Sequence, residues 1–111
     1  MTFNTAFEKI KDKIGEYDFD SKNRDYAIQV KLTNKDCEGT FYIQSKDSSL
    51  FVEPYDYYDN DVSVCVTAGD FTKLVDGKTS LDKAISANKI TISGDGEKIR
   101  EFLYSLSKKE D

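Results

Sequence analysis

The chain has 111 residues, of which 38% are hydrophobic and 33% are charged. This length predicts one domain spanning residues 1–111, because a core of this size leaves no room for a second domain. Acidic residues outnumber basic ones by 21 to 16, and the net charge of −5 repels phosphate backbones, which argues against nucleic acid as a partner.

The first predicted element is a helix near the start of the chain. Phe7, Ile10 and Ile14 fall at i, i+3 and i+7, which is the spacing of one helical face. Thr5, with Glu8 three residues later, is predicted to form a capping box at its start. The charged segment that follows, residues 16–25, is predicted to be a connection rather than an element.

Three short strands follow this connection. Alternating apolar and polar residues predict strands over 28–32 and 41–43, with a turn between them. A third strand over 50–52 is expected to end before Pro54, because proline cannot donate to a sheet ladder. The three strands form a predicted antiparallel meander, and residues 54–61, rich in Tyr and Asp, are predicted to cross over to the next strand.

The second half of the chain begins with a one-sided strand over 62–66, in which three valines alternate with Ser, Cys and then Thr. Two short helices are predicted to follow, with Asp70 and Ser80 as their N-terminal caps. The first is expected to end at Gly77, since glycine tolerates the left-handed conformation of a helix stop, and the second closes at Asn88.

A strand and a helix end the pattern. Ile90 and Ile92 alternate with polar residues, and a turn at 94–96 leads to a helix with a candidate cap at Asp95. The apolar residues of this helix fall at i, i+3, i+4 and i+7 and are Ile99, Phe102, Leu103 and Leu106. One-sided strands with amphipathic helices predict the α+β class, one sheet with about four to five helices on one face.

A set of motifs occurs in a fixed order between residues 61 and 95. These motifs are Asp61-Val62, Thr67-Ala-Gly-Asp-Phe71, Leu74, Gly77-Lys78, Ala84 and Lys89-Ile-Thr-Ile-Ser-Gly-Asp95. Together they resemble the sterol carrier protein 2 family of sterol-transfer or lipid-binding domains. The chain departs from the family pattern at Ile85, where an aromatic residue is usual, and at Asn88, where glycine is usual.

The resemblance implies a five-stranded, mostly antiparallel sheet in the order 3-2-1-4-5, with a hydrophobic tunnel between helices and sheet. It further implies non-enzymatic binding of a fatty acid, fatty acyl-CoA or sterol-like lipid, and no cofactor. Whether the protein also transfers this lipid between membranes is left open. The wall residues carried over by motif are Phe71, Leu74, Ala84, Ile90 and Ile92. Helical periodicity adds Val75, Leu81, Ile85, Phe102, Leu103 and Leu106.

A protein-interaction module with a filled core is the alternative. In that case the acidic, tyrosine-rich loop 54–61 serves a protein partner, and a homodimer is also open. Tyr55, Tyr57 and Tyr58 would then form a partner surface, or, in the lipid-binding case, a lid over the cavity. A core without a pocket above about 300 Å³ would favour the interaction module.

The sequence offers no catalytic or metal-binding constellation. Histidine is absent, which excludes Ser-His and Cys-His nucleophile pairs, so an enzyme would need a reactive carboxylate or thiol. Cys37 and Cys65 lack Cys-x-x-Cys spacing and are expected to be reduced thiols. The acidic residues of 56–70 do not fit a calcium loop, because the sixth position counted from Asp59 is Val64 rather than glycine.

The expected compartment is the cytoplasm. No apolar run approaches the roughly 20 residues that span a bilayer, so stable membrane insertion is not expected. The first residues lack the basic and apolar regions of a secretory signal, and the last residues match neither a peroxisomal nor an ER-retention address.

Overall fold

The computed structural model describes residues 2–20 and 24–108, which contain four helices and seven strands. The helices are α1 (Phe3–Gly15), α2 (Ala68–Val75), α3 (Leu81–Ser86) and α4 (Glu97–Tyr104). The strands are β1 (Tyr17–Phe19), β2 (Tyr26–Leu32), β3 (Gly39–Lys46), β4 (Ser49–Glu53), β5 (Val62–Val66), β6 (Ile90–Gly94) and β7 (Leu106–Lys108). The predicted α+β class is confirmed.

Five of the strands form one mixed sheet in the order β4-β3-β2-β5-β6. All neighbours are antiparallel except β2 and β5, which are parallel, with Ile28 opposite Val62 and Leu32 opposite Val66. Numbered among the five predicted strands alone, this order reads 3-2-1-4-5. The structure differs from the prediction in having two additional strands, which lie outside this sheet.

The additional strands β1 and β7 form a separate antiparallel pair, with Tyr17 opposite Lys108 and Phe19 opposite Leu106. The prediction that 16–25 contains no element is therefore wrong for β1. The placement of Leu106 in the last helix is also wrong, because α4 ends at Tyr104 and the chain then pairs with β1. The two elements are joined further by the Asp20 amide, which donates to the Ser105 carbonyl at 2.9 Å.

The core lies between the sheet and the helices. Ile28, Val30 and Leu32 of β2 are fully buried, while Gln29 and Lys31 between them are not, so one face of the sheet is covered. The buried faces of all four helices belong to the same apolar cluster as that covered face. The helices therefore pack on one side of the sheet, as predicted.

Aromatic rings connect the sheet to α1 and α2 within this core. The Phe41 ring of β3 lies 5.4 Å from that of Phe7 in α1 and 5.8 Å from that of Phe71 in α2, both edge to face. This is the preferred arrangement of aromatic pairs, and it fixes α1 and α2 over β3.

Two predicted caps are wrong by one helical turn. The N-cap of α1 is Thr2, whose hydroxyl accepts from the Thr5 amide at 3.3 Å, so Thr5 and Glu8 do not form the starting box. The N-cap of α2 is Thr67, whose hydroxyl accepts from the Asp70 amide at 3.2 Å. Both threonines are extended and can turn a hydroxyl back onto the first turn, while Asp70 lies inside that turn and favours the helix dipole.

The caps of the two later helices agree with the predictions. Ser80 caps α3 by accepting from the Lys83 amide at 3.1 Å. The carboxylate of Asp95 accepts from the Glu97 amide at 3.2 Å, although the N-cap position itself is the following glycine. Asn88 lies just beyond α3 with φ of +58°, a conformation that asparagine tolerates better than most residues, which explains how it replaces glycine.

Residues 54–61 cross from β4 to β5 over the sheet face that points away from the helices. The amide of Tyr57 donates to the side-chain oxygen of Gln29 at 3.0 Å, and Gln44 donates to the Tyr57 hydroxyl at 3.1 Å. The Tyr57 ring lies 5.1 Å from that of Tyr42 on the same face. The predicted crossover is confirmed, and a lid over a cavity between helices and sheet is excluded because the loop lies on the other face.

Asp61 fixes the start of β5 against β2. Its amide donates to the Ala27 carbonyl at 2.8 Å, and its carboxylate accepts from the Ala27 amide at 2.8 Å. The side chain thus supplies a ladder hydrogen bond that the backbone does not. This carboxylate stabilises the register of the central parallel pair.

Candidate ligand-binding site

A pocket of about 280 Å³ lies between α2, α3 and α4. Three of the predicted wall residues, Leu74, Leu81 and Leu103, supply its apolar lining. Polar residues complete it: Thr79, Ser80, Asp82, Arg100 and Tyr104. Leu74 and Leu81 are also part of the buried core, so the pocket borders the layer between the helices and the sheet.

The turn between α2 and α3 creates one side of this pocket. Gly77 has φ of +72°, and its amide donates to the Leu74 carbonyl at 3.2 Å while the Lys78 amide donates to the Lys73 carbonyl at 2.9 Å. This pair of hydrogen bonds is the Schellman motif, which ends α2 as predicted at Gly77. Ser80 caps α3 only three residues after Gly77, and both residues line the pocket, which α4 borders through Arg100, Leu103 and Tyr104.

An ion pair bridges α3 and α4 at the pocket. Arg100 donates to Asp82 at 2.9 Å, and its second charged contact is Glu97 at 3.8 Å. Hydrogen bonds to Asp82 and then to Tyr104 raise the pKa of Arg100 above its usual value. Asp82 is largely exposed, and exposed pairs of this kind contribute little to stability, so the contact can open at low cost.

The other predicted wall residues occupy three kinds of position. Phe71, Val75, Ala84, Ile90 and Phe102 are buried core residues. Ile92 and Leu106 are half-buried and pack against that core.

Ile85 lies apart from this set, since 42% of its surface is exposed. Its predicted packing against the core together with Leu81 and Ala84 is wrong. α3 has only six residues, and this single turn and a half buries Leu81 and Ala84 but leaves Ile85 on the outer flank.

A second pocket of about 340 Å³ lies between α1, the turn at 34–37 and the start of α2. Ala6, Ile10 and Cys37 line it together with polar groups that include Lys9 and Thr72. The side chain of Asn34 accepts from the Ala68 amide at 2.8 Å and so ties the turn to α2. Sequence reasoning missed this pocket because it joins segments about thirty residues apart, with no local pattern to connect them.

The cysteines and the acidic side chains are the groups to consider for reactivity and metal binding. Cys37 and Cys65 are free thiols, and burial, followed by the charge of Asp36, raises the pKa of Cys37, which lowers its reactivity. Within residues 2–20 and 24–108, no His, Cys, Asp and Glu side chains cluster closely enough to hold a metal ion. No helix in these ranges has the length and apolar character needed to cross a membrane.

Comparison with known proteins decides the family. The sequence model of the SCP-2 sterol transfer family matches residues 3–103, which is most of the chain. The chain belongs to the SCP-2 sterol transfer family. Comparison with curated proteins finds no similar sequence.

Solved structures similar to this family member support the same fold. Sterol carrier protein 2 like 2 from Aedes aegypti is 19% identical with a TM-score of 0.63, over 91% of this chain and 93% of the other. Sterol carrier protein 2 from Aedes aegypti, solved in complex with the C16 fatty acid palmitate, is 19% identical with a TM-score of 0.57, over 92% and 94%.

A further similar structure is an enzyme of much greater length. The inverting sec-alkylsulfatase Pisa1 from Pseudomonas sp. is 20% identical with a TM-score of 0.74, over 83% of this chain. The chain corresponds to only 15% of that enzyme's length. At this identity the likeness shows the fold alone.

Proposed function

We propose that this SCP-2 family member is a non-enzymatic binding protein for a hydrophobic small molecule, such as a fatty acid, a fatty acyl-CoA or a sterol-like lipid. The observation that supports the proposal best is the leucine-lined pocket at α2, α3 and α4. Two of its leucines, Leu74 and Leu81, belong also to the core, so a ligand entering there meets the apolar layer directly. The Aedes aegypti relative solved with palmitate has the same fold.

The driving force for such binding is burial of the ligand's apolar surface. Each buried methylene contributes about 0.8 kcal/mol, so a long acyl chain gains on the order of ten kcal/mol before its ordering cost is subtracted. The pocket volume of about 280 Å³ lies just below the range of about 300–1,000 Å³ that is usual for ligand sites, and by the criterion of about 300 Å³ this pocket in its present shape favours the interaction module. Binding of a long chain therefore requires the pocket to widen.

Helix α4 is the element that we propose to move. It has eight residues, and its polar link across the pocket is the Arg100–Asp82 ion pair, which is worth little at such an exposed position. Phe102 belongs to α4, and its side chain is now buried in the core. Displacement of α4 would bring this side chain into contact with the ligand. Phe71, Val75, Ala84 and Ile90 would form the deeper wall.

The direct test is to purify the protein under mild conditions, analyse it by native mass spectrometry, and titrate it in a fluorescent fatty-acid displacement assay. We expect a co-purified or displaceable lipid in a one-to-one complex. Leu103→Glu places a charge in the pocket wall and should weaken binding at least tenfold. Ile85→Glu makes the same change on the exposed flank of α3 and should alter affinity less than twofold. Absence of any bound or bindable lipid would reject the proposal.

A second candidate function is recognition of a protein through the outer face of the sheet. Tyr55 and Tyr58 are 65% and 90% exposed, and loop 54–61 contains three aspartates and no basic residue. A surface of this kind fits a partner with basic residues around an apolar centre. Replacement of Tyr55 and Tyr58 by serine should abolish such an association while leaving lipid titration unchanged. Sedimentation velocity of the purified protein tests whether the partner is a second copy.

A further inference from the structure

Arg100 is the cation in the wall of the leucine pocket between α2, α3 and α4. Its guanidinium donates to Asp82 at 2.9 Å and lies 3.8 Å from Glu97. The Arg100 side chain is 31% exposed, whereas the side chains of Asp82 and Glu97 are each 76% exposed. The cation is therefore partly covered by the pocket, while both of its carboxylate partners are largely hydrated.

This difference in exposure allows one anionic partner to be exchanged for another. An exposed carboxylate gains little from an ion pair, so Asp82 can leave Arg100 and be hydrated at low cost. The guanidinium is less exposed and loses more if it is left without an anion. A ligand carboxylate that replaces Asp82 keeps it paired, and the planar fork of arginine can bind a carboxylate through two parallel hydrogen bonds.

The other arginine that pairs with α4 has the opposite arrangement. Arg24 donates to Glu101 at 2.7 Å, but here the arginine side chain is 60% exposed and the acid only 22%. A ligand anion that displaced Glu101 would take a partner from the less exposed member of the pair. Neither residue is among the described residues that line the leucine pocket. Arg100 is thus the arginine whose partner a ligand in this pocket can replace.

Hydroxyl groups in the same pocket add donors for a carboxylate. Thr79 and Ser80 line the pocket together with Arg100. The Ser80 hydroxyl accepts from the Lys83 amide at 3.1 Å, so its own proton is still able to donate. Three leucines supply the apolar lining of this pocket, so a charged head group and an apolar chain both find matching surfaces in it.

We propose that Arg100 determines ligand specificity at this pocket by charge: the carboxylate of a lipid takes the place of Asp82 on the guanidinium. This inference rests on the proposed function and adds the residue that distinguishes an acid from a neutral lipid of equal length. The exchange also breaks the ion pair between α3 and α4, which is the polar link that opens when α4 moves. A neutral lipid breaks the same link without giving Arg100 a new anion, so it binds less tightly.

The experiment compares hexadecanoic acid with 1-hexadecanol in the displacement assay on the full chain, at a pH where the acid is ionised. We expect the acid to bind about tenfold more tightly, and Arg100→Gln to weaken acid binding about tenfold but alcohol binding less than about twofold. Arg100→Lys keeps the charge without the planar fork and should retain part of the preference. Lys83→Gln is the matched control, because this exposed lysine of α3 carries the same charge but does not line the pocket. It should leave the ratio of the two affinities unchanged.

Asp82→Asn tests the partner that competes with the ligand. Removal of this carboxylate should raise the preference for the acid about threefold, since the ligand no longer competes with Asp82 for Arg100. Glu8→Gln makes the same change in net charge on the exposed face of α1 and should not alter the preference. An ion pair with a structural role alone would shift both affinities equally in Arg100→Gln and Asp82→Asn. If both lipids bind and their ratio stays constant in these two variants, the inference is overturned and the proposed function stands. If neither lipid binds, the proposed function fails and this inference fails with it.

Discussion

Replacing Leu74 by alanine tests whether one side chain serves both the core and the ligand pocket. Leu74 is 4% exposed, belongs to the core cluster and lines the pocket at the end of α2. Leucine-to-alanine changes in cores cost about 2–5 kcal/mol, and the cost is lowest where the new void can be relieved. Since Leu74 borders an existing opening of about 280 Å³, we expect a loss of about 2–3 kcal/mol in the free energy of unfolding.

The assay for this variant is urea denaturation with and without lipid. For a chain near this size, 1 kcal/mol corresponds to roughly 4–8 °C, so in a parallel thermal melt the melting temperature should fall by about 8–24 °C. A ligand present at 100 times its Kd should restore about 2.7 kcal/mol of stability if the variant still binds it. The enlarged pocket should also change which acyl-chain length the protein binds most tightly in the displacement titration.

Ile85→Ala is the control, because it removes a similar side chain from the exposed flank of the neighbouring helix α3. It should change the unfolding free energy by less than about 0.5 kcal/mol and leave chain-length preference as in the original protein. Equal effects of the two substitutions on lipid binding would refute the assignment of Leu74 to the ligand wall. A loss below about 1 kcal/mol in Leu74→Ala would refute its assignment to the core.

Three further outcomes concern backbone and charge. Asn88→Val should cost about 1–2 kcal/mol, because a β-branched residue is strained at φ of +58°, whereas Asn88→Gly should be near neutral; thermal melts compare the two. Gly94→Ala should cost more than about 2 kcal/mol by the same measurement, because φ is +105° and an added Cβ would lie 2.7 Å from the Asp61 carbonyl oxygen. The hydrogen bond from Tyr17, at 2.6 Å, lowers the pKa of Asp76, so the stability it contributes is present above the unfolded value of about 4 and is lost as pH falls through the folded value. Urea midpoints between pH 2 and 6 should therefore depend less on pH in Asp76→Asn; an unchanged pH dependence would contradict this.

The strands and most helices could be predicted because their signals are local. Alternation at 62–66 and the helical spacing around Phe102 report directly which face is buried. The errors occur where two local signals compete or where a distant segment decides. Thr67 and Asp70 are both good caps, and only the backbone conformation selects Thr67. Leu106 fits the helical stripe, but pairing with β1 is a long-range interaction that periodicity cannot show.

The same distinction applies to the candidate site. Leu74, Leu81 and Leu103 could be predicted as apolar positions, but their meeting in one pocket depends on how α2, α3 and α4 pack. The polar groups have no local signature at all. Arg100 reaches Asp82 across 18 positions of sequence. For these residues the tertiary arrangement supplies the information.

The central parallel pair has a consequence for the order in which the chain folds. Strands β2, β3 and β4 can join by short connections, but β5 pairs with β2 across 34 positions of sequence. Until residues 62–66 pair with β2, the open edge of β2 presents unpaired amides and carbonyls to other chains. During synthesis, that interval is when this protein is most exposed to aggregation, and slowing translation just before β5 would prolong it.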